Sequence, residues 1–161
     1  MVTAIASTAS VVVVDVANVM GARAGGWWHD RAGAALRLCR EVIALAGRGD
    51  DAAGAWVLVL EGQAREAVAL LESETSLAED TVPPGDWVPP TADEEPAPDA
   101  TAPVRIVSAP GSGDDAVVGA VAETVARDES CLVVTADREL RQRCEELNAS
   151  VVGPGWLLRL L

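Results

Sequence analysis

Runs of consecutive apolar residues that end at an acid and are then followed by helix-patterned segments confine this chain to an alternating α/β architecture. The clearest is Val11 to Val14, four valines with no polar break, closed by Asp15. A run that is apolar at every position, rather than at every second one, is buried on both faces, as strands of a parallel sheet are. Trp56 to Leu60 repeats the pattern and closes on Glu61; Val104 to Val107 and Cys131 to Thr135 add two more strands, and Val151 with Val152 a short last one. Between them, Asp30 is placed to cap a helix from Arg31 to Ala46, with Ala34, Leu38, Val42 and Leu45 at helical spacing and Gly47 and Gly49 at its end. Gly21, Gly25 and Gly26 mark a turn before it. Further helical stretches are expected from Gln63 to Leu71, Asp114 to Arg127 and Arg138 to Leu147, with a closing apolar turn from Trp156 to Leu161. The expectation is a single domain over residues 1–161: a three-layer, doubly wound sheet of about five mainly parallel strands, joined by right-handed crossovers.

Composition breaks this pattern once. Residues 72–103 are rich in Pro, Asp, Glu, Ala and Thr, and between 72 and 99 they hold nine acids and no arginine. Such a segment buries too little apolar surface to offset its ordering entropy, so it is expected to be a mobile acidic loop inserted in the domain. It also explains much of the formal charge of −13, which otherwise argues against a phosphate-binding partner. Without it the chain is only mildly acidic. Half the residues are apolar, enough for a core without staples, and no basic leader precedes the first apolar run. The expectation is a cytoplasmic protein with no membrane partner.

Cys39, Cys131 and Cys144 are far apart in sequence, with no CxxC pair, and read as small buried hydrophobes rather than zinc ligands or a disulfide framework. The lone His29 has no partner at ligand spacing and reads as a solvated or capping residue.

The chemistry-bearing residues are carboxylates. In an open parallel sheet, ligands bind beyond the carboxyl ends of the strands, near the point where the strand order reverses. Three segments deliver acids there: Asp15 with Asn18, the pair Asp114-Asp115 in Gly111-Ser112-Gly113-Asp114-Asp115, and Asp137 in Val133-Val134-Thr135-Ala136-Asp137-Arg138. Converging carboxylates repel one another unless a proton or cation compensates, and all-oxygen donors favour magnesium or manganese. Each acid also has a plain structural reading. Asp114 or Asp137 can cap the helix it precedes, and Asp115 suits a first turn, whereas Asp15 has no evident helix start beside it.

Other α/β classes are excluded by what is missing. The chain contains no lysine, so a Walker A loop cannot be completed at Gly111-Ser112-Gly113, and neither can the usual receiver-domain or haloacid-dehalogenase site. The third glycine of a dinucleotide fingerprint is absent as well.

In their order and context these motifs resemble the PIN-like nucleases, in particular the NYN domains and their YacP-like bacterial branch. The carrying residues are Asp15-x-x-Asn18 after the first strand, Asp114-Asp115 opening a helix, and Val133 to Arg138 closing the fourth strand. The resemblance implies a ribonuclease dependent on Mg or Mn. It makes Asp15, Asp115 and Asp137 the principal metal ligands, with Asp114 assisting and Asn18 orienting Asp15 or a water. Glu61 is the candidate for the further carboxylate that such domains supply between the first strand and the Asp pair. The implied partner is single-stranded or ribosome-associated RNA.

Candidate substrate contacts are Trp27 and Trp28, whose indoles can stack on unpaired bases, together with Arg31, Ser112 and Arg138. The plain alternative for the tryptophans is that one of them plugs the core beneath the loop. Two other functions use the same residues: a non-catalytic module binding RNA, a ribosome or a protein, and a small-molecule phosphoesterase with a closed pocket.

Overall fold

The computed structural model describes residues 9–48, 54–79 and 104–161. Strand β1 (Val11–Asp15) runs directly into helix α1 (Val16–Ala22), and a 3-10 turn at Trp27–His29 leads to α2 (Arg31–Ala46). Strand β2 (Ala55–Leu60) is followed by a 3-10 turn at Gly62–Arg65 and α3 (Glu66–Glu79). Next come β3 (Val104–Ser108), α4 (Gly113–Ala126), β4 (Cys131–Val134), α5 (Arg138–Glu146), β5 (Ser150–Val152) and α6 (Pro154–Leu158).

The strands form one sheet in the order β3-β2-β1-β4-β5, and every pairing is parallel. This is the doubly wound arrangement that the valine runs require. Alternate residues of β1 serve opposite faces. Val12 and Val14 join Trp56, Leu58, Leu60, Leu132 and Val134 under α1, α2, α3 and α6. Val11 and Val13 join Val57, Val59 and Val133 beneath Val117 and Val121 of α4 and Leu140 and Cys144 of α5. Helices cover both faces, so neither set of valines meets solvent. All three cysteines are buried and free, and burial pushes the Cys39, Cys131 and Cys144 thiols up to about 11, 12 and 11. As thiols they fill space and are not poised as nucleophiles.

Two segments differ from the sequence-based expectation. Helix α1 replaces part of the expected glycine turn; its buried Val16, Val19 and Met20 lie at i, i+3 and i+4, the spacing of one helix face. It escapes notice in the sequence because it is only seven residues long and starts directly after Asp15 with no intervening loop. The mobile acidic loop expected from residue 72 is helical through Glu79, since α3 is already nucleated and Leu71 to Glu79 contains no helix breaker. The rest of that loop lies outside the described residues. Among the described residues no helix is long and apolar enough to cross a membrane.

Leu58 is fully buried in β2 between β1 and β3, whereas Ile43 is exposed on α2. Leu58→Ala is expected to lower unfolding free energy by about 2–5 kcal/mol and Ile43→Ala by about 0.5 kcal/mol or less. Urea denaturation of the two variants beside the wild type measures both.

Candidate metal and phosphodiester site

Parallel strands joined by helices bring strand C-termini and helix N-termini to the same edge of the sheet. The first amides of a helix lack intrahelical acceptors, so this edge is rich in N–H groups that seek oxygen. The strand-end carboxylates supply it. Asp15 closes β1 and caps α1, its Oδ1 accepting from the Asn18 backbone N–H at 3.2 Å. Its Oδ2 accepts from the hydroxyl of fully buried Thr135 at 3.1 Å, and the same hydroxyl oxygen accepts from the Asp137 N–H at 3.1 Å. Asp137 in turn caps α5, accepting from the Leu140 N–H at 2.9 Å.

Glu61, just past β2, reaches across to the start of α4, where its Oε2 accepts from the Gly113 N–H at 2.7 Å. The approach is close: a Cβ at position 113 would lie 2.5 Å from that oxygen, so a larger residue there would displace the Glu61 carboxylate. Asn18 presents its side-chain oxygen to the Ala136 N–H at 2.9 Å, tying α1 to the connection between β4 and α5. The strand order reverses between β1 and β4, so this tie spans the topological switch point.

Above the switch point lies a cavity of about 490 Å³. Asp15, Glu61, Asp114 and Asp137 line it together with Asn18, Gly21 and Ala22, and no basic side chain of the described residues does. The four carboxylates thus come from three strand ends and one helix start, far apart in sequence.

Several sequence-based assignments change. Asp15 is a helix cap, contrary to the reading that it has no helix start beside it. Asp115, expected to be a principal ligand, instead points away and pairs with Arg143 at 2.7 Å. Asp114, expected only to assist, faces the cavity. The reason is helical: neighbouring residues are turned by about 100° from one another, so one of an adjacent pair faces the sheet edge while the other faces α5. Asn18 orients the loop before Asp137 through its side chain and meets Asp15 only through its backbone.

Trp27, Trp28, Arg31, Ser112 and Arg138 do not line the acidic cavity. Ser112 is the residue before α4 and makes no side-chain capping bond; Arg138 is exposed at the first position of α5. Arg65, near the end of β2, donates to Ser108 Oγ at 2.9 Å instead of reaching the carboxylates. The alternative for the tryptophans holds in part: Trp27 packs against the core and Trp28 stays exposed. Thr135 and Gly113 are the contributors that sequence reasoning passed over. Thr135 ends an apolar run, a position where a polar residue needs a partner, and this is the one signal that marks it.

The carboxylates disturb one another. Burial raises the Asp15 carboxyl above the ordinary aspartate range, the bonds from Asn18 and Thr135 oppose that rise, and the charges of Asp114 and Glu61 add to it. Asp114 is raised as well, by desolvation first and then by the charges of Asp137 and Glu61, with Arg143 pulling the other way. Burial is thus the main cause for both acids, and repulsion from neighbouring carboxylates adds to it.

The donor set is oxygen only, which suits a hard divalent cation, and Asp114 has no hydrogen bond to surrender among the described residues. As the side chains stand, no three acidic, imidazole or thiol groups among the described residues are arranged to hold a metal ion. The carboxylates are therefore near enough to repel and not closed around a common point. Compared with known protein families, curated proteins and solved structures, the chain matches none.

Because the Asp15 and Asp114 carboxyls are raised, the folded chain holds their protons more tightly than the unfolded chain does. Their contribution favours folding at low pH and is lost as pH rises from the ordinary aspartate value of 3.8 through the raised ones. Asp114→Asn removes one such group, so in the absence of metal the variant is expected to gain stability relative to wild type as pH increases from about 3 to about 7. Paired thermal melts across that range check it; a difference independent of pH contradicts the account.

Proposed function

We propose that the chain is a metal-dependent hydrolase of phosphodiester bonds, with RNA as its substrate class. The observation that carries this reading is one cavity at the switch point walled by four carboxylates, with no basic side chain of the described residues lining it. Asp114, Asp15, Asp137 and Glu61 are the residues that would hold Mg or Mn, with Asp114 replacing Asp115 in the set expected from the resemblance. A bound divalent cation would supply neutralisation of these charges, polarisation of a phosphoryl oxygen and an acidified water.

The chain's own residues do the rest. Asp15 and Asp137 are held in place by the Asn18, Leu140 and Thr135 bonds, so their remaining acceptor capacity faces the cavity at little further entropic cost. Asn18 keeps the loop before Asp137 in register with β1. A carboxylate of the set left uncoordinated by the cation would be the group to accept a proton from an attacking water. The choice of RNA among phosphodiesters rests on the likeness of the motifs to NYN domains.

A second reading is favoured by one specific observation. Asp15, Asp137 and Glu61 each already satisfy a helix amide, and no three groups stand ready around an ion. On that reading the acids are helix caps and the fold is a non-catalytic binding module.

Cleavage of single-stranded RNA in the presence of manganese separates the two. The hydrolase reading expects fragments from wild type, a loss on the order of 100-fold or more in Asp114→Asn, and nearly full activity in Asp115→Asn. Manganese should also raise the melting temperature of wild type but not of Asp114→Asn, as a ligand selective for the folded state does. Inert wild-type protein with an unmoved melting temperature would favour the binding module.

A further inference from the structure

The last turn of α1 is a wall between two cavities. Gly21 and Ala22 line the acidic one, while Met20 and Arg23 line a smaller one of about 170 Å³ on the other side. Trp27, Arg37 and Gly25 complete much of this second cavity. The Trp27 indole also backs onto the partition itself, lying 3.8 Å from where a Cβ on Gly21 would be.

Around this wall stand two indoles and three arginines. The Arg31 guanidinium sits over the Trp27 ring at 5.4 Å from its centroid, and no carboxylate among the described residues pairs with it. Arg23 and Arg37 have acidic partners, Glu41 and Asp30. Trp28 stands edge-on to Trp27 at 6.2 Å and is 58% exposed. Core packing accounts for Trp27 but not for Trp28. Left-handed backbone at Gly25 and Gly26, with φ of +119° and +63°, turns the chain so that this second indole projects outward. The other large exposed apolar side chains among the described residues, Ile43 and Leu70, are aliphatic and lie on helix surfaces.

We propose that this corner is a subsite for the unpaired nucleotides that flank a phosphodiester held in the acidic cavity. The exposed Trp28 indole stacks one base, Arg31 forks a backbone phosphate, and the cavity walled by Trp27 receives the neighbouring base. Any base can stack on an indole, so recognition is indifferent to sequence but demands that the base be out of a helix. A duplex keeps its bases paired and stacked, and so cannot use the site. Its orientation toward the acidic cavity rests on the hydrolase reading; base stacking itself does not.

The test measures binding by fluorescence anisotropy of labelled oligouridylate, alone and annealed to oligoadenylate, at low salt with EDTA present so that cleavage does not intervene. The exposure of Trp28 lets it be replaced without opening the core. Trp28→Ala is expected to weaken single-strand binding about 5- to 100-fold, Trp28→Phe to restore most of it, and duplex binding to be unchanged by either. Arg31→Ala should weaken single-strand binding and flatten its salt dependence. Equal single-strand affinity in wild type and Trp28→Ala, equal wild-type affinity for single strand and duplex, or no binding to either probe overturns the subsite. Manganese-dependent cleavage that persists beside unchanged Trp28→Ala binding would remove this subsite and leave hydrolysis standing. Stacking lost in Trp28→Ala, in a protein that never cleaves, would do the reverse.

Discussion

The arrangement depends on the meeting of carboxylates with unpaired helix amides along one edge of a parallel sheet. Each helix N-terminus carries free N–H groups and a partial positive charge, and parallel winding collects these ends where the strands finish. Asp15, Glu61 and Asp137 each satisfy one such amide, at the starts of α1, α4 and α5 respectively. The acids are thus drawn together by the local demands of three helices before any ligand is considered. Asn18 and Thr135 then lock β1 against the connection that follows β4.

That same convergence leaves a surplus of negative charge. A neutral amide and a helix dipole offset part of a carboxylate's desolvation, typically by about 0.3–1 kcal/mol for the dipole near the surface, and do not cancel repulsion between neighbouring acids. Burial first, and this surplus after it, hold Asp15 and Asp114 above the ordinary aspartate range. Asp114 differs from the others because its place in the first turn of α4 leaves it without a hydrogen bond among the described residues. Under the proposed function, a divalent cation would offset the negative charge that these caps leave uncompensated. Capping by these carboxylates therefore does not by itself exclude the metal binding proposed for them.

The aromatic corner follows from the shortness of α1. Because the helix ends at Ala22, the chain must turn back through Gly25 and Gly26 before α2 can pack, and the two indoles fall beside the same last turn that borders the acids. One indole is absorbed by the core and the other is not, and the arginine above the first ring stays outside it.

Much of this was readable from residue order. The strands at Val11, Trp56, Val104 and Cys131, the helix capped by Asp30, and the delivery of Asp15, Asp114 and Asp137 to strand ends or helix starts follow from hydrophobic runs and capping chemistry, which act over a few residues. Helix α1 was hidden because it is seven residues long and follows Asp15 without a loop to separate it from β1. Tertiary structure alone decided which of Asp114 and Asp115 faces the cavity, that Glu61 reaches the Gly113 amide 52 positions away, and that Trp27 packs while Trp28 does not. Those outcomes depend on the rotation of α4 about its axis and on the closeness of segments distant in sequence, and neither is encoded in the spacing of residues along one strand or one turn.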